Sequence, residues 1–194
     1  MRSELKDLFL ELEKFGNRND ANASDRQQKM LNITPDTGPF LSILIQNCRA
    51  RRVLEVGTSN GYSTLWIADA LTRTDGVVIT VEIQNHKIAK AKENFMRSGL
   101  SERIQQVQGD AGEYLKKADR NSFDFIFLDS DREQYVDWWP NLMSALRPGG
   151  LLVVDNATSH SHELREFNAM VESSQYPNTL VPIGNGELLV LKPL

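Results

Sequence analysis

The sequence predicts an α/β domain built on a doubly wound, mostly parallel sheet of seven strands, and three observations carry that expectation. From Arg52 onward, short runs of Val, Ile, Leu and Phe alternate with helical stretches. The runs are near-continuously apolar, as strands are when helices cover both faces of a sheet. Gly184-Asn185-Gly186 separates the last two runs and is a hairpin signal, which adds an antiparallel pair at the C-terminal end.

Residues 3–15 place Leu5, Leu8, Phe9, Leu12 and Phe15 on one helical stripe. Residues 16–29 are polar, rich in Asn, Asp and Ser, and read as a flexible connection, either a tether or a lid. Pro35 and Gly38 precede an apolar helix from Phe40 to Cys48. The expected strands are 53–57, 77–82, 104–109, 123–129, 151–155, 179–183 and 187–192. The expected helices between them are 62–73, 85–98, 111–118, 133–146 and 161–173. One domain spans 1–194, with 1–29 as N-terminal helix and connection and 30–194 as the core.

A chain of 194 residues can bury a full core without staples. The 22 basic against 26 acidic residues give a net charge of −4, which argues against an electrostatic nucleic-acid binder. Cys48 is the only cysteine, so no intrachain disulfide and no cysteine-based zinc cluster is possible. No apolar run reaches the roughly 18–20 residues of a membrane span. The acids among the first apolar residues do not suit a secretory signal. A cytoplasmic protein is expected. The stripe from Leu5 to Phe15 must be covered, and a homodimer is the expected cover.

In such sheets ligands bind beyond the carboxyl ends of the strands. Here those ends are Gly57, Glu82, Asp110, Asp129 and Asp155, four of them acidic, which core packing does not require. LEVGTSNGYST (54–64) sets Gly57 and Gly61 in the first strand-to-helix turn, where glycine lets backbone approach a ligand. Position 59 is serine, so the dinucleotide pattern G-x-G-x-x-G is absent. Glu82 can accept both hydroxyls of a ribose. Asp110 can receive an adenine amino group or cap the next helix. Together they point to an adenosine-containing ligand. At the other end, Asp129, Asp155 and Asn156 offer two carboxylates and an amide, a donor set for Mg²⁺, Mn²⁺ or Ca²⁺ rather than zinc. Asp131 either joins them or caps the following helix.

LEVGTSNGYSTLWIADAL, VEIQNHKIAKAKENF, FIFLDSDREQY and LRPGGLLVVDN, in that order, resemble the catechol and caffeoyl-CoA O-methyltransferase group. The resemblance covers roughly residues 30–192. It implies a Rossmann-like methyltransferase fold and the methyl donor S-adenosylmethionine. It implies further that Glu55, Gly57, Thr58, Ser63, Glu82, Asp110, Ala111 and Asp129 surround the donor, with Glu82 on the ribose and Ser63 and Gly57 facing the methionine part. MLNITPDTG (30–38) resembles the family's segment before the first strand, which also touches the donor. Asp129, Asp155 and Asn156 match the family's metal-binding positions. The reaction implied is transfer of the sulfonium methyl to a hydroxyl of a small acceptor.

Two departures bear on catalysis, for which Asp129 and Arg132 are the candidates. The family usually reads D-x-D-K after the first metal aspartate, and the lysine is taken as a base. Here Arg132 stands in its place, and arginine stays protonated. The metal alone, another group or a different acceptor must then account for the proton. After Asn156 the family often has tryptophan and glycine; here ATSHSHE offers His160 and His162. Other readings are a methyltransferase for a hydroxylated RNA nucleoside, a lapsed adenosine-binding module and, disfavoured by the glycine spacing, an NAD-dependent oxidoreductase. Trp66 and one of Trp138 and Trp139 are expected in helix-face core, as is Cys48.

Overall fold

The computed structural model describes residues 2–194. Helix α1 spans Ser3–Asn22 and is followed by a 3-10 turn at Arg26–Gln28 and by α2 at Thr37–Asn47. The alternating part then runs β1 (Arg52–Val56), α3 (Tyr62–Leu71), β2 (Val77–Glu82), α4 (Asn85–Ser98), β3 (Ile104–Gln108), α5 (Ala111–Lys117) and β4 (Phe123–Leu128). It continues through α6 (Tyr135–Ala145), β5 (Leu146–Val154), α7 (Arg165–Ser173), β6 (Asn178–Val181) and β7 (Glu187–Leu191).

All seven strands form one sheet in the order β3-β2-β1-β4-β5-β7-β6. β1 lies between β2 and β4 and is parallel to both, β3 continues beside β2, and β5 beside β4. β7 is antiparallel to β5 and to β6. The chain reverses its winding direction between β1 and β4, and a crevice opens outside their carboxyl ends.

Side chains of a strand alternate between faces, and this alternation builds two cores. Val53, Val78, Phe125, Phe127 and Val153 pack against α1 to α4. Leu54, Val56, Ile79, Ile126, Leu128, Leu152 and Val154 pack against α5 to α7. The same parity sends Glu55 to the first face, among hydroxyls of α3 and β2.

The N-terminal segment differs from the expectation. Residues 16–29 are not a flexible connection: α1 continues to Asn22 and the rest is tied down by its own polar groups. Asn19 Nδ2 donates to the Gln28 carbonyl at 2.8 Å. The Asp20 carboxylate accepts from the backbone N–H of Met30 at 2.7 Å and of Leu31 at 2.8 Å. Gly16 is buried against Asn32, whose amide would lie 2.5 Å from an added Cβ. Leu5, Leu8, Phe9 and Leu12 are covered within the chain, with the Phe9 ring stacked on Trp66 at a centroid distance of 4.2 Å. The stripe therefore no longer calls for a second chain. Phe15 is only half-buried and carries the Lys90 ammonium 4.2 Å from its ring centre.

Smaller shifts occur elsewhere. β5 starts at Leu146, because Leu146 pairs with Phe123 before the ladder slips. A 3-10 turn at Arg132–Gln134 precedes α6, and α7 starts only at Arg165, after a run of turns. Cys48 is half-buried. No helix among the described residues is long and apolar enough to cross a membrane.

Candidate active site

A cleft of about 940 Å³ lies across the strand ends and is walled by residues after β1, β2, β3, β4 and β5. Gly57 opens it with φ at +104°, and an added Cβ would stand 1.9 Å from the Asp129 carbonyl oxygen. Backbone crowding and left-handed geometry together require glycine there. Gly61 has φ at +87°, and its Cβ would meet Phe95 at 2.5 Å.

Glu82 is buried on the cleft wall and is held by three backbone donors. Its Oε2 accepts from Ser59 N–H at 2.9 Å; its Oε1 accepts from Ile83 at 3.0 Å and Gln84 at 2.9 Å. The carboxylate is thus fixed in place with lone pairs left for a diol. Asp110 caps α5, as one of its two expected roles has it, by accepting from Glu113 N–H at 2.9 Å, and it also lines the cleft. Thr58, Ser63 and Ala111 also line the cleft. Met30 to Ile33 close it from the N-terminal side, with Ser59 Oγ donating to the Met30 carbonyl at 2.5 Å. Trp138 lines the cleft rather than the core alone, and Trp139 packs on Phe167.

Glu55 is placed differently from the other candidates around the donor. It is fully buried behind the glycine turn and is not part of the cleft wall. Its carboxylate accepts from Ser63 Oγ at 2.6 Å, from Thr80 Oγ1 at 2.6 Å and from Thr64 Oγ1. Burial pushes its pKa up to about 7, against the pull of these three hydroxyls. Its contribution to the cleft is to hold the start of α3, and with it Ser63.

Asp129 and Asp155 stand at the ends of adjacent strands. Burial raises the pKa of both, and the Asp155 charge raises that of Asp129 further. Asn156 Nδ2 lies 3.1 Å from Asp129 Oδ1, and Asn156 Oδ1 accepts from Asn185 Nδ2 at 3.2 Å. The three side chains predicted to share a cation do therefore converge. Among the described residues no group of three or more His, Cys, Asp or Glu side chains is arranged for a metal. Any metal centre here rests on two carboxylates and one amide.

Arg132 is buried beside them, with Nε donating to Glu163 Oε2 at 2.6 Å. Asp131 lines the cleft and caps the 3-10 turn by accepting from Glu133 N–H at 3.4 Å, and its other oxygen accepts from Gln134 Nε2 at 3.2 Å. His160 lines the cleft, with Nδ1 2.8 Å from Ser159 Oγ. Burial, then the Arg132 charge, lowers its pKa, so its imidazole is neutral at pH 7. His162 is exposed and outside the cleft.

Two residues escaped the sequence reading. Lys87 lines the cleft from the first turn of α4 and is buried, which lowers its pKa while Glu82 opposes the shift. In sequence it looks like one more lysine on a basic helix face. Glu187 is wholly buried at the start of β7, where Thr37 Oγ1 donates to its Oε1 at 3.0 Å. Burial and then the Asp155 charge raise its pKa. An acid opening the apolar run ELLVL was the available signal.

A family model for O-methyltransferases matches residues 4–192. The chain belongs to this family. The fold agrees with its S-adenosylmethionine-dependent class. The catechol O-methyltransferase of Niastella koreensis is 35% identical over 150 residues, covering 76% of this chain and 65% of that protein. The catechol O-methyltransferase of Mycobacterium tuberculosis is 36% identical over 124 residues, covering 64% and 56%. The chain thus spans less than two thirds of the length of either relative. The crystal structure of the O-methyltransferase TomG from Streptomyces achromogenes, in complex with SAM, matches with a TM-score of 0.80. It is 25% identical and covers 100% of this chain and 91% of its own.

Proposed function

We propose that this O-methyltransferase family member transfers the methyl of S-adenosylmethionine to a hydroxyl of a small catechol-like acceptor held at a divalent cation. The observation that carries this reading is the single cleft that joins Glu82, at one end, to Asp129, Asp155 and Asn156 at the other. TomG was crystallised with SAM, and two relatives are named catechol O-methyltransferases, which supports the same donor and acceptor class.

The residues fit both groups. Glu82 and Asp110 would hold ribose and adenine, the glycine turn and Ser63 the methionine part. Two carboxylates, Asp155 buried and Asp129 partly so, with an amide oxygen suit a hard cation, once Asn156 turns its oxygen toward Asp129. When bound, the donor supplies an electrophilic methyl and the cation supplies Lewis acidity that favours an ionised acceptor hydroxyl, whose free pKa is near ~10. The chain does the rest. Glu82, pinned by three backbone N–H groups, fixes the donor end; the ends of β4 and β5 fix the acceptor end. Holding both reactants in line makes the step effectively unimolecular. We assign the acceptor's proton to His160, the neutral imidazole on the cleft wall.

Arginine in place of lysine favours one second reading, a module that binds the donor without turnover. A labelled-methyl screen with catechols and bulk RNA separates the possibilities. Label on a catechol is expected. Label on RNA alone replaces the acceptor class, and donor binding without transfer to anything supports the lapsed module.

A further inference from the structure

We propose that Arg132 is an acceptor-recognition residue and that the preferred acceptor carries a carboxylate in addition to its vicinal hydroxyls. This rests on the function proposed above. The Arg132 side chain is only 5% exposed, yet of its five N–H donors only Nε is bonded within the protein, to Glu163. Among the described residues neither Nη group has a hydrogen-bond partner. Both Nη groups stay accessible rather than sealed in the interior, and Arg132 lines the cleft, so they are the part of this side chain that a ligand can reach.

The pair with Glu163 gives that position its geometry. Arg132 lies on the turn after β4 and Glu163 on the segment after β5, so the 2.6 Å contact ties two strand ends together and locks the guanidinium plane. The edge left over presents two Nη groups side by side, which a carboxylate matches with two parallel hydrogen bonds. The Asp129 and Asp155 carboxylates feel the Arg132 charge but form no hydrogen bond with it.

The surrounding wall points the same way. From Asp129 through Asp155 to Asn185 the cleft is lined by Ser, Asp, Arg, Glu, Gln, Asn and His, with no aliphatic side chain; Trp138 leans on Gly112, at the end assigned to adenine. Met30, Leu31, Ile33 and Tyr62 line the same cleft and offer the apolar surface for a ring, while Arg132 offers the strongest donors for a charged substituent.

The test compares a dihydroxybenzoate and a dihydroxycinnamate with their primary amides, which keep shape and hydroxyls but lose the charge. In the wild-type protein with Mg²⁺ the acids should exceed the amides at least tenfold in kcat/KM. Arg132→Gln should erase that preference. Calorimetric titration into the S-adenosylhomocysteine complex should show the same order of affinities without turnover. Equal kcat/KM and equal affinity for acid and amide in the wild type would overturn the proposal. So would a preference that persists in folded Arg132→Gln. If nothing is methylated while the acids still bind at least tenfold more tightly than the amides, the proposed function fails and the Arg132 assignment stands.

Discussion

Replacing Glu82 with Gln asks how much of the donor end depends on one carboxylate. The variant keeps the shape but has one acceptor atom where the wild type has two. If the amide oxygen stays on Ile83 and Gln84 N–H, its NH₂ meets the Ser59 N–H, and the 2.9 Å bond there is lost. A hydrogen bond to a charged acceptor contributes about 1.5–3 kcal/mol. For a domain of this size that corresponds to a fall in Tm of about 3–12 °C. The ribose loses a charged acceptor as well, so affinity for S-adenosylhomocysteine should drop at least about tenfold. Thermal unfolding and calorimetric titration read the two effects separately. A folded variant with wild-type affinity for S-adenosylhomocysteine would refute the placement of the ribose at Glu82.

Other substitutions probe the remaining parts of the cleft. Gly57→Ala places a Cβ 1.9 Å from the Asp129 carbonyl at φ +104°; strain of at least about 2 kcal/mol should lower Tm by about 4 °C or more, and a smaller shift would contradict the crowding. Glu55 titrates near 7 in the fold against its ordinary 4.5, so between those values the folded chain keeps a proton that the unfolded chain has lost. Stability must then fall as pH rises through that window, by about 3 kcal/mol in all. Glu55→Gln should remove this part of the difference in urea unfolding free energy between pH 5 and pH 8, and an unchanged difference would disprove the raised pKa. Asp155→Ala should lower turnover at least about a hundredfold while S-adenosylhomocysteine binds as before, because Glu82 lies three strands away in the sheet; loss of both together would mean that Asp155 shapes the whole cleft.

The alternating part of the chain was legible because each strand there is an apolar run closed by glycine or an acid, and each helix begins close behind it. That pattern located the cleft, since Gly57, Glu82, Asp110, Asp129 and Asp155 all end strands. It failed where polarity stood in for flexibility. Asn19, Asp20 and Asn32 look like linker residues, but they accept and donate the backbone bonds of residues 12 to 31. Only tertiary contact reveals that use. It failed also for parity: Glu55 sits in the glycine motif, yet its side chain lies off the cleft wall and accepts from Ser63, Thr64 and Thr80. Lys87 was hidden for the opposite reason, because a helix residue that looks exposed in sequence is buried on the wall of the folded cleft.

The most direct measurement is a crystal structure of the protein with S-adenosylhomocysteine and Mn²⁺, read by anomalous scattering. The account predicts one manganese peak within bonding distance of Asp129, Asp155 and Asn156, and the ribose hydroxyls on Glu82. A cofactor seated elsewhere, or a manganese-free centre in which Arg132 bonds directly to both aspartates, would contradict it.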